Sequence, residues 1–283
     1  MDDTDYAFGR TQNEYERLIE QGELFRPLTE RMLVAAGIRR GMHVLDIGCG
    51  VGDVSFLLAD LVGSDGLVLG VDIDTECLKV AEERRLRMGI ANIKFRQSDA
   101  RSIESDRLFD AAVGRFVLQF MSDATETRRQ IALRIRPGGI VAFHESDWRV
   151  STARAMNQPV LAQLLDLFAR TFERSGVRME IGAELYSRML DAGLEPDPSP
   201  LAEIPLHMGD SEIAYRRWTL FARSVLPKIV EYGFPTAEEV RDIVENKLRE
   251  ELKTTRSATP LGYLMIAQWA RKPGASTQSS QGR

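Results

Sequence analysis

At 283 residues, with 43% hydrophobic and 28% charged residues, the chain is long enough to bury a packed core in one large domain or in one domain with a substantial insert. Its 42 acidic residues outnumber its 37 basic residues and give a net charge of −5, which argues against a nucleic-acid partner. Two cysteines and three scattered histidines provide neither a disulfide framework nor the ligand spacing of a zinc site.

The start of the sequence and its hydropathy bear on location. Residues 1–5 are acidic and lack the apolar stretch of a secretory signal. No apolar run reaches the roughly 18 residues that a membrane-spanning helix needs. These features predict a cytoplasmic protein without a membrane span, and no residue pattern predicts a bound metal.

In chain order, residues 1–38 are predicted to form an N-terminal helical cap, in which Pro27 divides two helices. From residue 42 onward, short apolar runs alternate with amphipathic stretches. The predicted strands are 42–47, 67–71, 93–95, 109–113 and 140–143. The predicted helices between them are 54–61, 75–88 and 125–135, the last closed by Pro137-Gly138-Gly139. Strands that alternate with helices indicate a parallel sheet with helices on both faces.

The second half of the chain is mainly helical in pattern. Helices are predicted at 159–174 and 183–190, and a strand at 201–208. Residues 211–253 are helical again, with a capping-box pattern of Thr236 and Glu239. A final strand is predicted at 261–270, before a tail rich in Ser, Gln and Gly.

A glycine-rich segment, residues 44–53 (VLDIGCGVGD), lies where the first predicted strand passes into a helix. Its glycines allow a sharp turn and the close approach of a ligand to the backbone. A dinucleotide site has the spacing G-x-G-x-x-G, whereas here the third glycine comes one residue early and Asp53 follows it. Asp46 and Asp53 would repel a pyrophosphate and suit a ligand that carries an ammonium and a sulfonium group.

The pattern Asp46-x-Gly48-x-Gly50-x-Gly52 resembles motif I of the class I S-adenosylmethionine-dependent methyltransferases. The resemblance implies that the glycine loop packs against the amino-acid end of the cofactor. It also implies that Asp46 holds the cofactor's ammonium, directly or through water. Cys49 is a common residue of this cofactor-binding loop, and we interpret it as structural rather than as a nucleophile.

Further segments resemble the same family. Asp72, at the end of the second strand, would accept hydrogen bonds from both ribose hydroxyls, a role that dinucleotide-binding proteins share. The resemblance places Ile73 against the adenine, Asp99 at the adenine amino group, and the backbone N–H of Ala100 on a ring nitrogen.

The bend after the fourth strand would line the cofactor and face the acceptor, and Arg115 and Phe116 fall there. The turn at residues 136–139 (RPGG) also resembles this family, and together the matches cover about residues 39–146. The motif set and chain length are most similar to the small-molecule branch, which includes ubiquinone, menaquinone and natural-product methyltransferases.

Methyl transfer is an in-line displacement at a sulfonium, which requires alignment of the acceptor and, for some acceptors, removal of a proton. Ligands in this architecture bind at the carboxyl ends of the strands. His144 directly follows the predicted fifth strand and is the first candidate for a general base, although a structural histidine fits the sequence equally well. Glu145 is the alternative base.

These observations predict an α/β fold with a Rossmann-like, seven-stranded, mostly parallel sheet, an N-terminal helical cap and a helical insert before the last strand. The predicted boundaries are 1–38 for the cap, 39–210 for the S-adenosylmethionine-binding domain, 211–256 for an insert over the acceptor site, 257–273 for the last strand and 274–283 for a disordered tail. The insert's large apolar residues would line an acceptor pocket or form its own core. They are Tyr215, Trp218, Leu220, Phe221 and Leu226.

The predicted function is methyl transfer from S-adenosylmethionine to a small-molecule acceptor at an oxygen, nitrogen or carbon atom. Two alternatives stay open at this point, an NAD-dependent oxidoreductase and a non-catalytic S-adenosylmethionine-binding protein. No nucleic-acid partner is expected. The helical additions could also form a homodimer interface.

Overall fold

The computed structural model describes residues 12–121, 124–149, 157–209 and 212–274. The first 11 residues of the predicted cap, and all but Gly274 of the predicted tail, lie outside the described residues.

Helices and strands alternate through the first half of the described chain. The helices are α1 (Gln12–Ala36), α2 (Asp53–Val62), α3 (Thr75–Met88), α4 (Ala124–Leu133), α5 (Pro159–Arg174), α6 (Ile181–Asp191), α7 (Glu212–Glu231), α8 (Ala237–Asp242) and α9 (Arg249–Thr254), with a 3-10 turn at Leu118–Phe120 and a π-helical stretch at Ile243–Leu248. The strands are β1 (His43–Ile47), β2 (Leu67–Asp72), β3 (Ile93–Gln97), β4 (Phe109–Arg115), β5 (Ile135–Asp147), β6 (Glu195–Pro196), β7 (Leu201–Glu203), β8 (Leu206–His207), β9 (Thr259–Pro260) and β10 (Leu264–Arg271).

The main sheet has the strand order β3-β2-β1-β4-β5-β10-β6, and β7 also pairs with β10. The pairs among β1 to β5 are parallel, and β6 runs antiparallel to β10 at one edge. The predicted α/β fold with a mostly parallel sheet of about seven strands is therefore confirmed. Ile47 lies opposite Val71 of β2 and Gly114 of β4, so the loops after these three strands leave the sheet at the same edge.

The described chain divides into two compact units. The first, which we call the sheet unit, comprises residues 25–145, 182–201 and the chain from 266 onward; the second, the helical unit, comprises residues up to 24, 146–181 and 202–265. The domain boundaries drawn from the sequence stay a prediction.

Both faces of the central strands in the sheet unit are buried. Val44 packs in a cluster with side chains of α2 and the end of α1, whereas its neighbour Leu45 points to the opposite face and is also fully buried. This burial on both sides is what a parallel sheet covered by helices requires.

Aromatic side chains pack together in the core of the helical unit. Trp148 stacks on Tyr263 with ring centroids 3.6 Å apart and makes a T-shaped contact with Phe172 at 4.7 Å. Phe221 lies 5.8 Å from Trp218 and 5.9 Å from Trp148. Trp218 and Phe221 are thus core residues of the helix that carries them.

Pro27 does not divide the first helical region, which corrects the prediction of two helices. A single helix runs from Gln12 to Ala36 with Pro27 inside it. Proline removes one backbone donor and disfavours the helix locally. The buried residues Phe25, Met32 and Leu33 on the same helix retain it through packing.

The fifth strand is much longer than the predicted 140–143. It runs from Ile135 to Asp147, so the predicted turn at residues 136–139 and the two base candidates all lie within it. Polar residues interrupt the apolar pattern there, but the structure buries the polar end of the strand, where Glu145 and Ser146 are 0% exposed. The predicted strand at 201–208 is likewise two short strands, of which β7 pairs with β10 and β8 with β9.

Candidate functional site

The loop between β1 and α2 holds the predicted glycine motif. Gly48 has φ +63°, and Gly52, with φ +94°, is the N-terminal cap of α2. Both lie in the left-handed region that glycine adopts without strain. A Cβ atom on Gly48 would stand 2.4 Å from Val117 Cγ2, so the loop also packs too tightly against the segment after β4 for a larger residue.

Gly48→Ala is expected to lower the free energy of unfolding by about 2–4 kcal/mol, because the methyl group adds both backbone strain and a steric clash. Gly89→Ala is the matched control, since Gly89 has φ +67° and a Cβ there would meet no atom within 4 Å. The free energy of unfolding of the control should fall only by the cost of the strained backbone, about 1–2 kcal/mol. Urea unfolding of both variants measures the difference, and equal losses would contradict the packing argument.

Asp46 lies in β1 and is 1% exposed. Its Oδ2 accepts a hydrogen bond from Ser55 Oγ at 2.5 Å. Burial raises the pKa of Asp46 to about 7, although Ser55 and Arg115 act in the opposite direction. A carboxylate that carries this desolvation cost gains strongly when a cation approaches it.

Asp72 ends β2 and ties the glycine loop to this strand. Its Oδ2 accepts from the Gly50 N–H and its Oδ1 from the Asp74 N–H, both at 2.9 Å. Burial raises the pKa of Asp72, and these two N–H donors oppose the shift. Each carboxylate oxygen can accept a second hydrogen bond. Ile73 beside it exposes 46% of its surface, which provides an apolar platform at the same strand end.

Asp99 and Ala100 follow β3. Asp99 accepts from the backbone N–H of Arg101 at 2.8 Å and pairs with its guanidinium at 2.6 Å. This pairing lowers the pKa of Asp99. The Asp99 side chain remains 38% exposed, while Ala100 is buried. Asp99 is therefore ionised and accessible at the end of its strand.

Arg115 ends β4 and donates from Nη1 to Thr29 Oγ1 at 3.1 Å. Burial lowers its pKa, whereas Asp53 and Asp46 raise it. The next residue, Phe116, has φ +54°, a strained conformation for a residue with a side chain. Backbone strain of this kind is concentrated at functional sites.

His144 is buried in β5, with its Nδ1 at 3.2 Å from Thr29 Oγ1. The Thr29 hydroxyl donates to the Phe25 carbonyl at 2.9 Å, so it can only accept from His144. The proton of the neutral imidazole therefore belongs on Nδ1. Burial, and secondarily the charge of Arg115, lower the pKa of His144 to about 3.

Glu145 is also buried in β5, and its Oε1 accepts from the N–H groups of Val117 and Leu118 at 2.9 and 3.0 Å. These two bonds fix the turn after β4 that packs on Gly48. The glutamate thus holds the backbone of the site.

Thr29, Ser55 and Arg84 also contribute to the site and were not predicted from the sequence. Arg84 joins Asp53 at 2.8 Å and donates to the Val51 carbonyl at 2.6 Å, which braces the glycine loop from α3. A hydroxyl or an arginine on an amphipathic helix carries no local signal for such a contact. The one local indication was Asp53, an acidic residue in the first turn of α2, whose charge favours a cation nearby.

The two base candidates meet the same turn as Arg115 and Phe116. The Phe116 N–H donates to the His144 carbonyl at 3.1 Å. The residues predicted around β1, β2 and β4 thus lie near the carboxyl ends of these strands or on the loops that follow them, at one edge of the sheet. Among the described residues, no group of three or more His, Cys, Asp and Glu side chains could hold a metal ion. No described helix combines the length and the apolar character of a membrane span.

Comparison with known proteins gives one consistent class. The model of a methyltransferase-domain family matches residues 38–192, more than half of the chain. A ubiquinone/menaquinone biosynthesis C-methyltransferase of Ectopseudomonas mendocina is 28% identical over 202 residues, covering 70% of this chain and 76% of that protein. An arsenite methyltransferase of Aquipseudomonas alcaligenes is 37% identical over 214 residues, covering 71% of this chain and 60% of that protein.

Solved structures show the same fold. A protein from Bacillus halodurans described as a methyltransferase superposes with a TM-score of 0.58 at 17% identity, covering 86% of this chain and 97% of that one.

Proposed function

The chain belongs to the methyltransferase-domain family, and from this premise we propose how its residues serve the transfer of a methyl group from S-adenosylmethionine to a small organic acceptor. S-adenosylmethionine is the methyl donor of this enzyme, and the oxidoreductase and the non-catalytic alternatives are not favoured. The bound sulfonium supplies an already activated methyl group. The protein's task is to hold the donor, align the acceptor and exclude water.

The observation that carries the proposal is the pair of acidic side chains at the ends of β1 and β2. Asp46, buried with a pKa of about 7, suits the ammonium and sulfonium end of the donor. Asp72, a carboxylate that accepts backbone N–H donors at the end of β2, has further acceptor capacity and suits two ribose hydroxyls. A pyrophosphate would meet both negative charges, so the site selects against NAD.

The remaining cofactor contacts follow from position. We assign the adenine to Ile73, Asp99 and the N–H of Ala100, and the glycine loop with Cys49 to the methionine end. The positive charge of Arg115 lowers the pKa of Asp46, and the Asp46 carboxylate raises the pKa of Arg115. This guanidinium suits the carboxylate of the donor. Phe116 would shape the passage between donor and acceptor.

We propose that His144 positions Arg115 through Thr29 and does not remove a proton. Thr29 Oγ1 accepts from both Arg115 and His144. A pKa of about 3 leaves His144 a weak base near neutral pH. Glu145 is engaged with the turn after β4, which supports a positioning role for it as well.

His144→Gln is expected to weaken S-adenosylmethionine binding about three- to tenfold and to lower kcat by no more than about tenfold, because it disturbs only the support of Arg115. Thr29→Val is the matched variant, which keeps the side-chain shape and removes the hydroxyl. It should give the same change, and the double variant should lose little more. A hundredfold fall in kcat at unchanged cofactor affinity would instead identify His144 as the base.

An organic acceptor is favoured over arsenite. Cys49 and Cys77, the only cysteines of the chain, are both buried, and burial raises the pKa of Cys49 well above its usual value. Buried thiols of high pKa are poor ligands for arsenic, which binds thiolates. A small organic molecule is therefore the better acceptor for this chain. Cytoplasmic location, the absence of a nucleic-acid partner and a homodimer stay predictions.

The proposed function is tested by calorimetry with S-adenosylmethionine, S-adenosylhomocysteine and NAD, followed by an assay of S-adenosylhomocysteine production with a panel of phenols, quinols, carboxylic acids and amines. Binding of the first two ligands without binding of NAD, and turnover with at least one acceptor, is the expected result. Failure to bind either sulfur-containing nucleoside at millimolar concentration would overturn the proposal.

A further inference from the structure

The core of the helical unit contains a buried arginine that forms no ion pair with a carboxylate among the described residues. Arg217 on α7 is 6% exposed. Its Nε donates to the Leu261 carbonyl and its Nη2 to Gln21 Oε1, each at 3.3 Å. Its Nη1 has no hydrogen-bond partner within the described part of the chain. A buried donor in this condition is costly for a folded protein.

The carboxylate of Glu14 pairs with Arg17 and not with Arg217. Glu14 receives two hydrogen bonds from Arg17, at 2.6 and 2.7 Å. Arg17 also donates to Gln21 Oε1, the amide oxygen that Arg217 shares. Burial and the positive charge of Arg17 lower the pKa of Arg217 to about 9. The carboxylates of Glu20 and Glu14 act on Arg217 in the opposite direction, and neither forms an ion pair with it among the described residues.

Tyr263 provides a second unpartnered donor in the same core. Its hydroxyl is buried and lacks a hydrogen-bond partner within the described ranges. Arg217 donates to the carbonyl of Leu261, two residues before Tyr263, and its charge favours the ionised form of this hydroxyl. Burial nevertheless raises the pKa of Tyr263 well above its usual value, so the hydroxyl keeps its proton and can donate it.

Aromatic rings surround these donors. The Arg217 guanidinium lies 5.3 Å from the ring centre of Phe221 and 5.7 Å from that of Trp218. Tyr263 stacks on Trp148. Cation–π contact stabilises one face of the guanidinium but leaves the in-plane Nη1 donor unsatisfied.

We propose that Arg217 and Tyr263 bind an anionic oxygen, a carboxylate or a phenolate, on a planar aromatic ligand within the helical unit. A buried charge without a partner is destabilising. The unpartnered Arg217 donor, beside a tyrosine hydroxyl in the same state, points to an anion as the missing partner. The surrounding rings suit a flat aromatic skeleton.

Binding of two matched probes tests the proposal. Calorimetry is performed with 3-hydroxy-2-naphthoate and with its neutral amide, 3-hydroxy-2-naphthamide, on the full chain saturated with S-adenosylhomocysteine. The wild type is expected to bind the anion at least about tenfold more tightly than the amide, because a charge-assisted contact is made only to the anion. Arg217→Met should abolish this preference and leave amide binding unchanged.

The neighbouring Arg216 gives a matched control. Its side chain is 72% exposed and pairs with Glu20, so Arg216→Met should keep the preference for the anion. Tyr263→Phe should reduce anion affinity at least about threefold without changing amide affinity. This variant decides the question if Arg217→Met does not fold.

Several results would overturn the inference. They are equal affinity for both probes in the wild type, binding of neither probe at millimolar concentration, and an unchanged preference in both Arg217→Met and Tyr263→Phe. A fall in melting temperature of Arg217→Met with the preference retained would assign Arg217 to stability alone. Titration of S-adenosylhomocysteine in the same preparations tests the proposed function separately, because loss of nucleoside binding refutes that function and not the anion site.

Discussion

Asp72→Ala is expected to weaken S-adenosylmethionine binding about 100-fold. Two hydrogen bonds from ribose hydroxyls to a carboxylate together contribute about 3 kcal/mol, which corresponds to that factor. The variant also removes the acceptor of the Gly50 N–H, so the glycine loop loses its tie to β2. Both effects act on the cofactor site, and calorimetry with S-adenosylmethionine measures their sum.

Two further variants separate these contributions. Asp72→Asn retains one oxygen acceptor and should lose only about tenfold in affinity. Asp65→Ala, on the exposed loop before β2 at the opposite edge of the sheet, removes a similar carboxylate and should leave binding unchanged. Wild-type affinity in Asp72→Ala, with the melting temperature also unchanged, would remove Asp72 from the cofactor site.

The sequence predicted best those elements whose ends carry local signals. Helix α3 has the predicted bounds because Asp74 caps its N-terminus and Gly89, in a left-handed conformation, ends it. Helix α5 begins at Pro159, which the first turn of a helix accepts. The glycine loop was predictable for the same reason, since positive φ angles restrict the residue type.

The elements that the sequence predicted poorly depend on distant partners. The polar end of β5 is stabilised as a strand by long-range hydrogen bonds. The Glu145 carboxylate accepts from two backbone N–H groups of the turn after β4, which lie 27 and 28 residues away in the chain. The shared contact of Thr29 with His144 joins residues 115 positions apart. No periodicity or capping rule encodes such a pair, so the sequence located His144 near the site without revealing that it is buried and neutral.

The affinity for S-adenosylmethionine is expected to fall by up to about tenfold for each pH unit below 7, because the Asp46 carboxyl becomes protonated there. In the free protein its pKa is about 7, with burial as the main cause. A bound ammonium favours the carboxylate and lowers this pKa, so binding releases a proton below pH 7. At pH 5 the affinity should therefore be about 100-fold lower than at pH 8.

Two variants assign the titration to Asp46. Asp46→Asn should bind weakly at pH 8 and lose most of the pH dependence between pH 5 and 7. The α-amino group of the ligand, with an ordinary pKa of about 8, stays protonated over that range and contributes little. Asp72, Asp53 and Arg115 also influence Asp46, but they act in all variants alike.

Ser55→Ala provides a directional test of the same argument. The Ser55 hydroxyl stabilises the ionised form of Asp46, so its removal should raise the pKa and move the midpoint of the affinity profile to higher pH. A loss of structure alone would lower affinity at every pH without moving the midpoint. A midpoint that moves to lower pH, or a flat profile in the wild type from pH 5 to 8, would show that the buried Asp46 does not face the donor's cationic end.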